Sequence, residues 1–178
     1  MQTESLKEIL QYPQQFSILC FQHKPDATDS FLDRLYEKAI QIWTGCPYFH
    51  VQHIFNGHVY IARTYQGVVK LSLSDWTIDS ERYDHYAIPI SVSRFNHLQV
   101  FLDSQVGKGY DWKGIFFSQA LHIDEQDKKK WFCSELVARF LQLSGYDNIL
   151  NKHAECYSPC SLFQILRKEN LLIRASLN

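Results

Sequence analysis

The chain has 178 residues, of which 46% are hydrophobic and 21% are charged, and its formal net charge is −1. This length suffices for one hydrophobic core and is short for two, so we expect a single domain. The near-neutral charge argues against a surface that tracks nucleic acid. No apolar run approaches the roughly 20 residues that a membrane-spanning helix needs, and residues 1–10 lack the apolar centre of a signal peptide.

The cysteines predict a reducing compartment. Their number is odd and their spacing forms no repeating framework, so we expect all five thiols to be reduced and the protein to be cytoplasmic; they are Cys20, Cys46, Cys133, Cys156 and Cys160. His153, Cys156 and Cys160 are close enough in sequence to suggest zinc. A closed zinc site needs four ligands, however, and no fourth ligand accompanies them, so we predict no metal.

The first half of the chain predicts a strand, a helix and a hairpin. The apolar run 16–21 favours a buried strand between two prolines. A helix capped by Asp29 or Ser30 should follow and end near Gly45, because its apolar residues have helical spacing. The pair Asn56-Gly57 lies between two aromatic-rich runs, which is the strongest short-range signal for a β-hairpin.

The second half predicts two strands over residues 67–73 and 85–93, followed by four helices. The first helix, over residues 95–106, could be capped by Ser93. A short helix should begin at Asp111, another should contain Cys133 and end near Gly145, and the last should open at Ser158-Pro159. Helices around an antiparallel sheet make the expected fold class α+β.

Cys133 is the leading candidate for a catalytic residue. Leu136, Val137 and Phe140 follow it at the spacing of an amphipathic helix, so it should lie in the first helical turn. Unpaired backbone N–H groups and the helix dipole favour a thiolate there and could also hold an oxyanion. The alternative is that Cys133 is a small buried hydrophobic residue, as many unbridged cysteines are.

A thiol nucleophile needs a base, and histidine is the usual one. Of the eight histidines, those of the predicted hairpin are favoured, because a rigid strand can hold an imidazole within hydrogen-bond reach of sulfur; they are His50, His53 and His58.

Strand alternation separates these histidines. It places His50, Gln52 and Ile54 on one face of the hairpin, which we expect to meet the cysteine helix. His53 lies on the opposite face and remains a candidate, since a one-residue change of register would exchange the two faces. His58 lies at the turn and should be hydrated.

Four segments together resemble the circularly permuted NlpC-type cysteine hydrolases, the YiiX-like group of papain-fold proteins. In chain order they read TGCPYFHVQ (44–52), GYDWKG (109–114), WFCSELV (131–137) and YSPCSL (157–162). The resemblance covers residues 16–166 and implies a single papain-like domain over 1–178, with residues 1–15 as an N-terminal extension. It also implies that Cys133 is the nucleophile and that His50 is the base.

The chain departs from this family at the third catalytic position. Many relatives have a glutamate where this chain has Gln52, and the equivalent position on the neighbouring strand falls near Arg63 or Thr64. A glutamine carbonyl can accept the second imidazole N–H, whereas an arginine cannot, so Gln52 is the candidate that orients the base. Further candidates for oxyanion or substrate binding lie within the shared motifs, at Tyr110, Ser134 and Trp112.

These residues predict a cysteine hydrolase or acyltransferase that needs no cofactor and acts on an amide or ester bond. The resemblance suggests a peptide, an N-acyl amide or a lipid-like molecule as the substrate, and Trp112 with residues 115–117 could line an acyl groove. The alternative function is a catalytically inactive papain-like binding module, which the replacement of a carboxylate by Gln52 favours.

Overall fold

The computed structural model describes residues 3–26, 30–63, 66–77, 79–110 and 130–176. The strands are β1 (Thr3–Ser5), β2 (Phe16–Gln22), β3 (His50–Phe55), β4 (His58–Arg63), β5 (Gly67–Ser72), β6 (Tyr83–Pro89), β7 (Gly109–Tyr110), β8 (Lys130–Trp131) and β9 (Ile173–Ser176). The helices are α1 (Leu6–Leu10), α2 (Phe31–Thr44), α3 (Phe95–Gln105), α4 (Cys133–Leu141) and α5 (Pro159–Lys168).

One sheet organises the domain, with the strand order β1-β9-β6-β2-β3-β4-β5. Every neighbouring pair in it is antiparallel except β1 and β9, which run parallel. The short strands β7 and β8 pair with each other in a separate ribbon. The fold is therefore α+β, with six antiparallel strands packed against helices, and its class is as expected from the sequence.

The sheet separates two hydrophobic clusters. The larger cluster joins α3, α4 and α5 to one face of the sheet, which we call the helix face, through residues such as Val51, Phe55 and Phe140. The smaller cluster covers the opposite face, where Leu6 and Ile9 of α1 pack against residues that include Ile54. Residues 3–10 therefore contribute both a strand and a helix to the domain.

Local sequence explains the element boundaries near the candidate site. Ser30 caps α2, because its hydroxyl accepts from the backbone of Asp33 and the Asp33 carboxylate accepts in return. Gly45 ends the helix in the left-handed conformation. Asn56 and Gly57 both have positive φ and form the predicted two-residue turn, which pairs Phe55 with His58.

Two predicted helix boundaries differ from the structure. Ser93 does not cap α3; it lies in a 3-10 turn over Val92–Arg94, and its hydroxyl contacts that of Ser91 at 2.8 Å. The helix α4 ends at Leu141 and continues as a π-helical turn over Gln142–Tyr146, in which Gly145 has a φ of 107°. The short helix predicted after Asp111 lies outside the described residues. None of the described helices is long and apolar enough to cross a membrane.

The expectation that all five cysteines are reduced is wrong, because Cys46 and Cys160 form a disulfide. Cys46 follows α2 and Cys160 lies in the first turn of α5, and their Cα atoms are 6.0 Å apart, within the range that a disulfide spans. Sequence spacing could not reveal a pair separated by 114 positions. The cysteine count therefore gives no support to a reducing compartment.

Removing this disulfide should destabilise the fold. It closes a loop across 114 positions, and loops of this length lose much conformational freedom in the unfolded chain when they are cross-linked. We expect the Cys46→Ser/Cys160→Ser variant to lose about 2–4 kcal/mol in the free energy of unfolding, measured by urea denaturation. Cys156→Ser is the matched control, since Cys156 is exposed and lies outside the disulfide. Equal stability of all three proteins would contradict this prediction.

Candidate active site

Cys133 is the first residue of α4 and lies outside the disulfide. Its side chain is only 4% exposed and belongs to the large cluster on the helix face of the sheet. The predicted position of Cys133 at the start of a helix is thus confirmed, and so is the buried face formed by Leu136, Val137 and Phe140.

The start of α4 presents several hydrogen-bond donors. The backbone N–H of Phe132 donates to the carboxylate of Glu135 at 3.5 Å, and the first intrahelical bond runs from Leu136 N–H to the Phe132 carbonyl at 3.1 Å. The N–H groups of Cys133 and Ser134 precede that bond, so helix geometry gives them no acceptor within the helix. The Ser134 hydroxyl is also buried and has no hydrogen-bond partner in the part of the chain that the structure describes.

A close backbone contact shows at which end of the sheet α4 begins. The N–H of Val68 donates to the Lys108 carbonyl at 2.8 Å, and a Cβ at Gly67 would overlap that same carbonyl. The ribbon of β7 and β8 thus docks on the start of β5, and Cys133 follows β8 after a single intervening residue. Arg63 pairs with Gly67, so this is the end where β4 finishes and β3 begins.

The helix α4 packs on the face of β3 that contains His53. The ring centroids of His53 and Phe140 are 4.8 Å apart, and those of His53 and Tyr60 are 5.6 Å apart. Alternation along β3 therefore directs Gln52, like Ile54, to the face that α1 covers. The predicted sharing of one face by His50, Gln52 and Ile54 agrees with the register, but the expectation that this face meets the cysteine helix is wrong.

His50 lies at the end of β3 at which α4 begins, on the face that it shares with Gln52 and Ile54, and its side chain is half-buried. Burial lowers the pKa of His50 to about 4, and the positive charge of Arg63 acts in the same direction. The imidazole is therefore neutral at neutral pH, which is the protonation state that a general base requires.

His53, unlike His50, lies on the helix face of the sheet. It lies farther along β3, away from the end at which α4 begins. It contacts Phe140, which follows Cys133 by two helical turns, or about 10 Å along the helix axis. The His53 side chain is fully buried, and this burial lowers its pKa to about 3. Neither ring nitrogen has a hydrogen-bond partner among the described residues.

Gln52 and His85 form a buried polar row with Cys20 that sequence reasoning did not recognise. Cys20 pairs with Gln52 on one side and with His85 on the other. The Nε2 atoms of Gln52 and His85 are buried without partners among the described residues. Burial raises the pKa of Cys20 and lowers that of His85. Strand alternation in the runs 16–21 and 85–93 was the available signal for this row.

Several predicted site residues lie wholly or partly outside the described residues. Tyr110 pairs with Trp131 through the backbone, but its side chain lies outside the described residues. Thr64, Trp112 and the apolar residues 115–117 also lie outside them.

A cavity of about 930 Å³ lies against the outer side of α4. Its lining includes Trp131 and Glu135, which flank Cys133 in sequence, together with Arg139 and Gln142 farther along. On the helix, Glu135 and Arg139 lie on the side opposite Cys133 and Phe140, which pack toward the sheet. The cavity thus reaches the first turn of α4 from the side opposite the strand that contains the histidines.

The zinc hypothesis does not fit the cysteine pairing. Cys160 is bonded to Cys46, so its sulfur is not available to join His153 and Cys156 around a metal. In the described ranges, no group of three or more histidine, cysteine, aspartate or glutamate side chains could hold a metal ion.

No protein-family model matches the chain, and no curated protein has a significantly similar sequence.

Proposed function

We propose that the protein is a cysteine hydrolase or acyltransferase with a papain-like fold, in which Cys133 is the nucleophile and His50 is the base. The observation that supports this proposal best is the position of Cys133, as the first residue of a helix that begins at the sheet end where His50 lies. A nucleophile at a helix start has donors for an oxyanion beside it.

In the proposed reaction, a neutral His50 takes the thiol proton and the sulfur of Cys133 attacks the carbonyl carbon of an amide or ester. The N–H groups of Cys133 and Ser134 stabilise the oxyanion. The imidazolium then gives its proton to the departing amine or alcohol, which leaves a thioester on Cys133. Water or another acceptor, deprotonated by His50, attacks that thioester; the C–S bond breaks, the acid or the transferred acyl product leaves, and the imidazolium returns its proton to the Cys133 sulfur.

The substrate class is part of the proposal. A peptide, an N-acyl amide or a lipid-like molecule would each provide an acyl group that a thiol can accept.

The reaction needs neither a metal nor an organic cofactor, because thiol, imidazole and backbone donors supply every proton and charge-stabilising group.

The proposal can be tested by alkylation with limiting iodoacetamide between pH 5 and 9, read by peptide mass spectrometry. Cys156 is exposed and serves as the reference thiol, whereas Cys20 is fully buried and should stay unlabelled. Cys46 and Cys160 are protected by their disulfide. We expect Cys133 to be alkylated at pH 6 well before Cys156, since an ordinary thiol with a pKa of about 8.5 is almost wholly protonated there.

The Cys133→Ser variant is the matched control for this labelling, because it removes the sulfur with little change in shape. Its remaining label should lie on Cys156. Labelling of Cys133 only near pH 8.5, in parallel with Cys156, would contradict a catalytic role.

A second candidate function is a papain-like binding module without catalysis. It is favoured by the direction of Gln52, whose side chain lies on the face of the sheet opposite α4 and whose amide nitrogen has no partner in the described part of the chain. Such a module would keep the buried Cys133 as a packing residue. It predicts that Cys133 is no more reactive than Cys156 at any pH.

A further inference from the structure

The helix α2 turns its apolar residues toward solvent. At about 3.6 residues per turn, Phe31, Leu35 and Ile42 lie within about 40° of one another around the helix axis, and Trp43 lies about 80° beyond Leu35. We call these four residues the apolar stripe of α2; their side chains are between 56% and 79% exposed. An exposed apolar surface of this kind marks a place where a protein meets another protein or a membrane.

Polar contacts hold the other side of α2 against the domain. The side-chain amide of Gln41 donates to the His23 and Pro47 carbonyls, at 3.1 Å and 2.6 Å. Shortly after the helix, Cys46 is bonded to Cys160. Neither hydrophobic cluster includes a side chain of α2 among the described residues. The helix is therefore anchored by polar groups and a disulfide, and its apolar stripe lies outside the core.

Exposed cations border the apolar stripe on one side. Lys38 and Arg34 lie about 20° and 60° from Phe31 around the helix axis, and both are exposed. Lys24 is also exposed and lies beside this border, because the carbonyl of the preceding His23 is bonded to the polar side of α2. The exposed surface of α2 thus combines apolar side chains with positive charge.

Three acidic residues in or next to α2 are turned inward or paired. The Asp33 carboxylate accepts from the backbone N–H and the hydroxyl of Ser30, at 3.3 Å and 2.6 Å, as part of the helix cap. Glu37 is half-buried, and its Oε2 atom is fully buried. Asp26 forms an ion pair with Arg82. Among the described side chains, the exposed charge beside the apolar stripe is therefore positive, which complements an anionic surface.

A second copy of the chain fits this surface poorly. The helix α2 is about 21 Å long, so a strip about 10 Å wide along it falls far below the roughly 800 Å² per partner that a stable interface buries. A two-fold axis through the middle of the apolar stripe would also pass near Lys38 and bring two lysines together. Neither objection applies to a lipid surface, which needs no self-complementary patch.

We infer that α2 is an interfacial helix that docks the protein on a bilayer containing anionic lipids. In the docked protein, the apolar stripe enters the boundary between headgroups and acyl chains, and Lys24 and Lys38 lie over the lipid phosphates. A helix about 21 Å long is shorter than the ~30 Å hydrocarbon core, so α2 lies in the plane of the surface and does not cross it. The inference is independent of the chemistry proposed for Cys133.

Co-sedimentation with vesicles tests this inference on the full chain. One set of vesicles is pure phosphatidylcholine, and in the other about one third of the lipid is the anionic phosphatidylglycerol. We expect the protein to bind the anionic vesicles about 25-fold more tightly, because Lys24 and Lys38 each contribute about fivefold near an anionic surface. Raising the salt concentration should weaken this binding, since salt screens the attraction.

Two double variants isolate the apolar stripe. Leu35→Gln/Ile42→Gln should weaken binding to the anionic vesicles about 30-fold, because partial burial of two such side chains contributes about that factor. Val92→Gln/Val100→Gln removes two apolar side chains, 55% and 68% exposed, from the 3-10 turn and α3, and should bind as tightly as the unaltered protein. Thermal unfolding of each variant checks that the fold is intact.

A second pair of variants isolates the charge. Lys24→Gln/Lys38→Gln should lower the affinity for the anionic vesicles about 25-fold and bring it close to the affinity for pure phosphatidylcholine. Lys7→Gln/Lys168→Gln makes the same change in net charge at exposed positions on α1 and α5, and it should leave the affinity unaltered.

Three results would overturn the inference. The first is an absence of binding to the anionic vesicles, and the second is equal weakening by Leu35→Gln/Ile42→Gln and by the valine control. The third comes from sedimentation velocity without vesicles, in which we expect a monomer. A dimer that Leu35→Gln/Ile42→Gln dissociates would assign the apolar stripe to a second copy of the chain.

Discussion

Lowering the pH from 7 to 4 is expected to reduce the free energy of unfolding by about 3 kcal/mol through the His53 imidazole alone. Burial lowers the pKa of His53 from 6.5 to about 3, so the unfolded chain binds a proton in this window and the folded protein does not. The stability is therefore fully present above pH 6.5 and is lost as the pH falls toward 3. His50, whose pKa is lowered to about 4, acts in the same direction.

Urea denaturation at pH 7, 6, 5 and 4 measures this effect. The variant His53→Leu fills the space between Phe140 and Tyr60 with an apolar side chain and removes the titrating group, so its stability should fall less steeply with decreasing pH. His97→Leu is the matched control because His97 is exposed on α3. If His53→Leu and the unaltered protein lost equal stability between pH 7 and 4, the claim that the folded protein holds His53 neutral in this range would be wrong.

Replacing His50 with glutamine is expected to slow the alkylation of Cys133 at pH 6 by about 100-fold. A thiol without a base is only about 0.3% ionised at that pH, whereas a neutral imidazole can take the thiol proton as the sulfur attacks. General-base assistance of this kind typically contributes 10²–10⁴-fold. The measurement is the second-order rate constant for iodoacetamide at Cys133, determined by mass spectrometry.

The hairpin provides two matched controls for His50. His58→Gln alters the half-buried histidine at the turn, whose ring lies 2.8 Å from the Asn56 carbonyl, and it should leave the rate constant unchanged. His53→Gln alters the imidazole on the helix face and should change the stability more than the rate constant. A loss of reactivity in His53→Gln with none in His50→Gln would transfer the role of base to His53.

Much of the fold could be predicted from residues that act locally. Asn56-Gly57 determines the hairpin and its register, because both residues adopt positive φ and form a two-residue turn that pairs Phe55 with His58. Ser30 and the pair Ser158-Pro159 begin helices for reasons of capping alone. The start of α4 at Cys133 could also be predicted, but from the apolar spacing of the helix and not from a cap.

The remaining features depend on contacts between distant segments. Which face of β3 meets α4 is decided by tertiary packing, and alternation yields two faces without saying which one a helix covers. The apolar spacing of α2 is that of a buried face, yet Leu35 and Trp43, which belong to that spacing, are 58% and 56% exposed. The pairing of β1 with β9 and the docking of Lys108 on Gly67 likewise have no signal in the local sequence.

The Cys46–Cys160 disulfide also determines what a broken chain would do. Both His50 and Cys133 lie within the stretch of chain that this bond closes into a ring. A single cut between positions 46 and 160 would therefore leave one covalently connected molecule, with the nucleophile and the candidate base still joined through the two sulfurs. Proteolytic nicking of that segment would divide the backbone of the site without separating its parts.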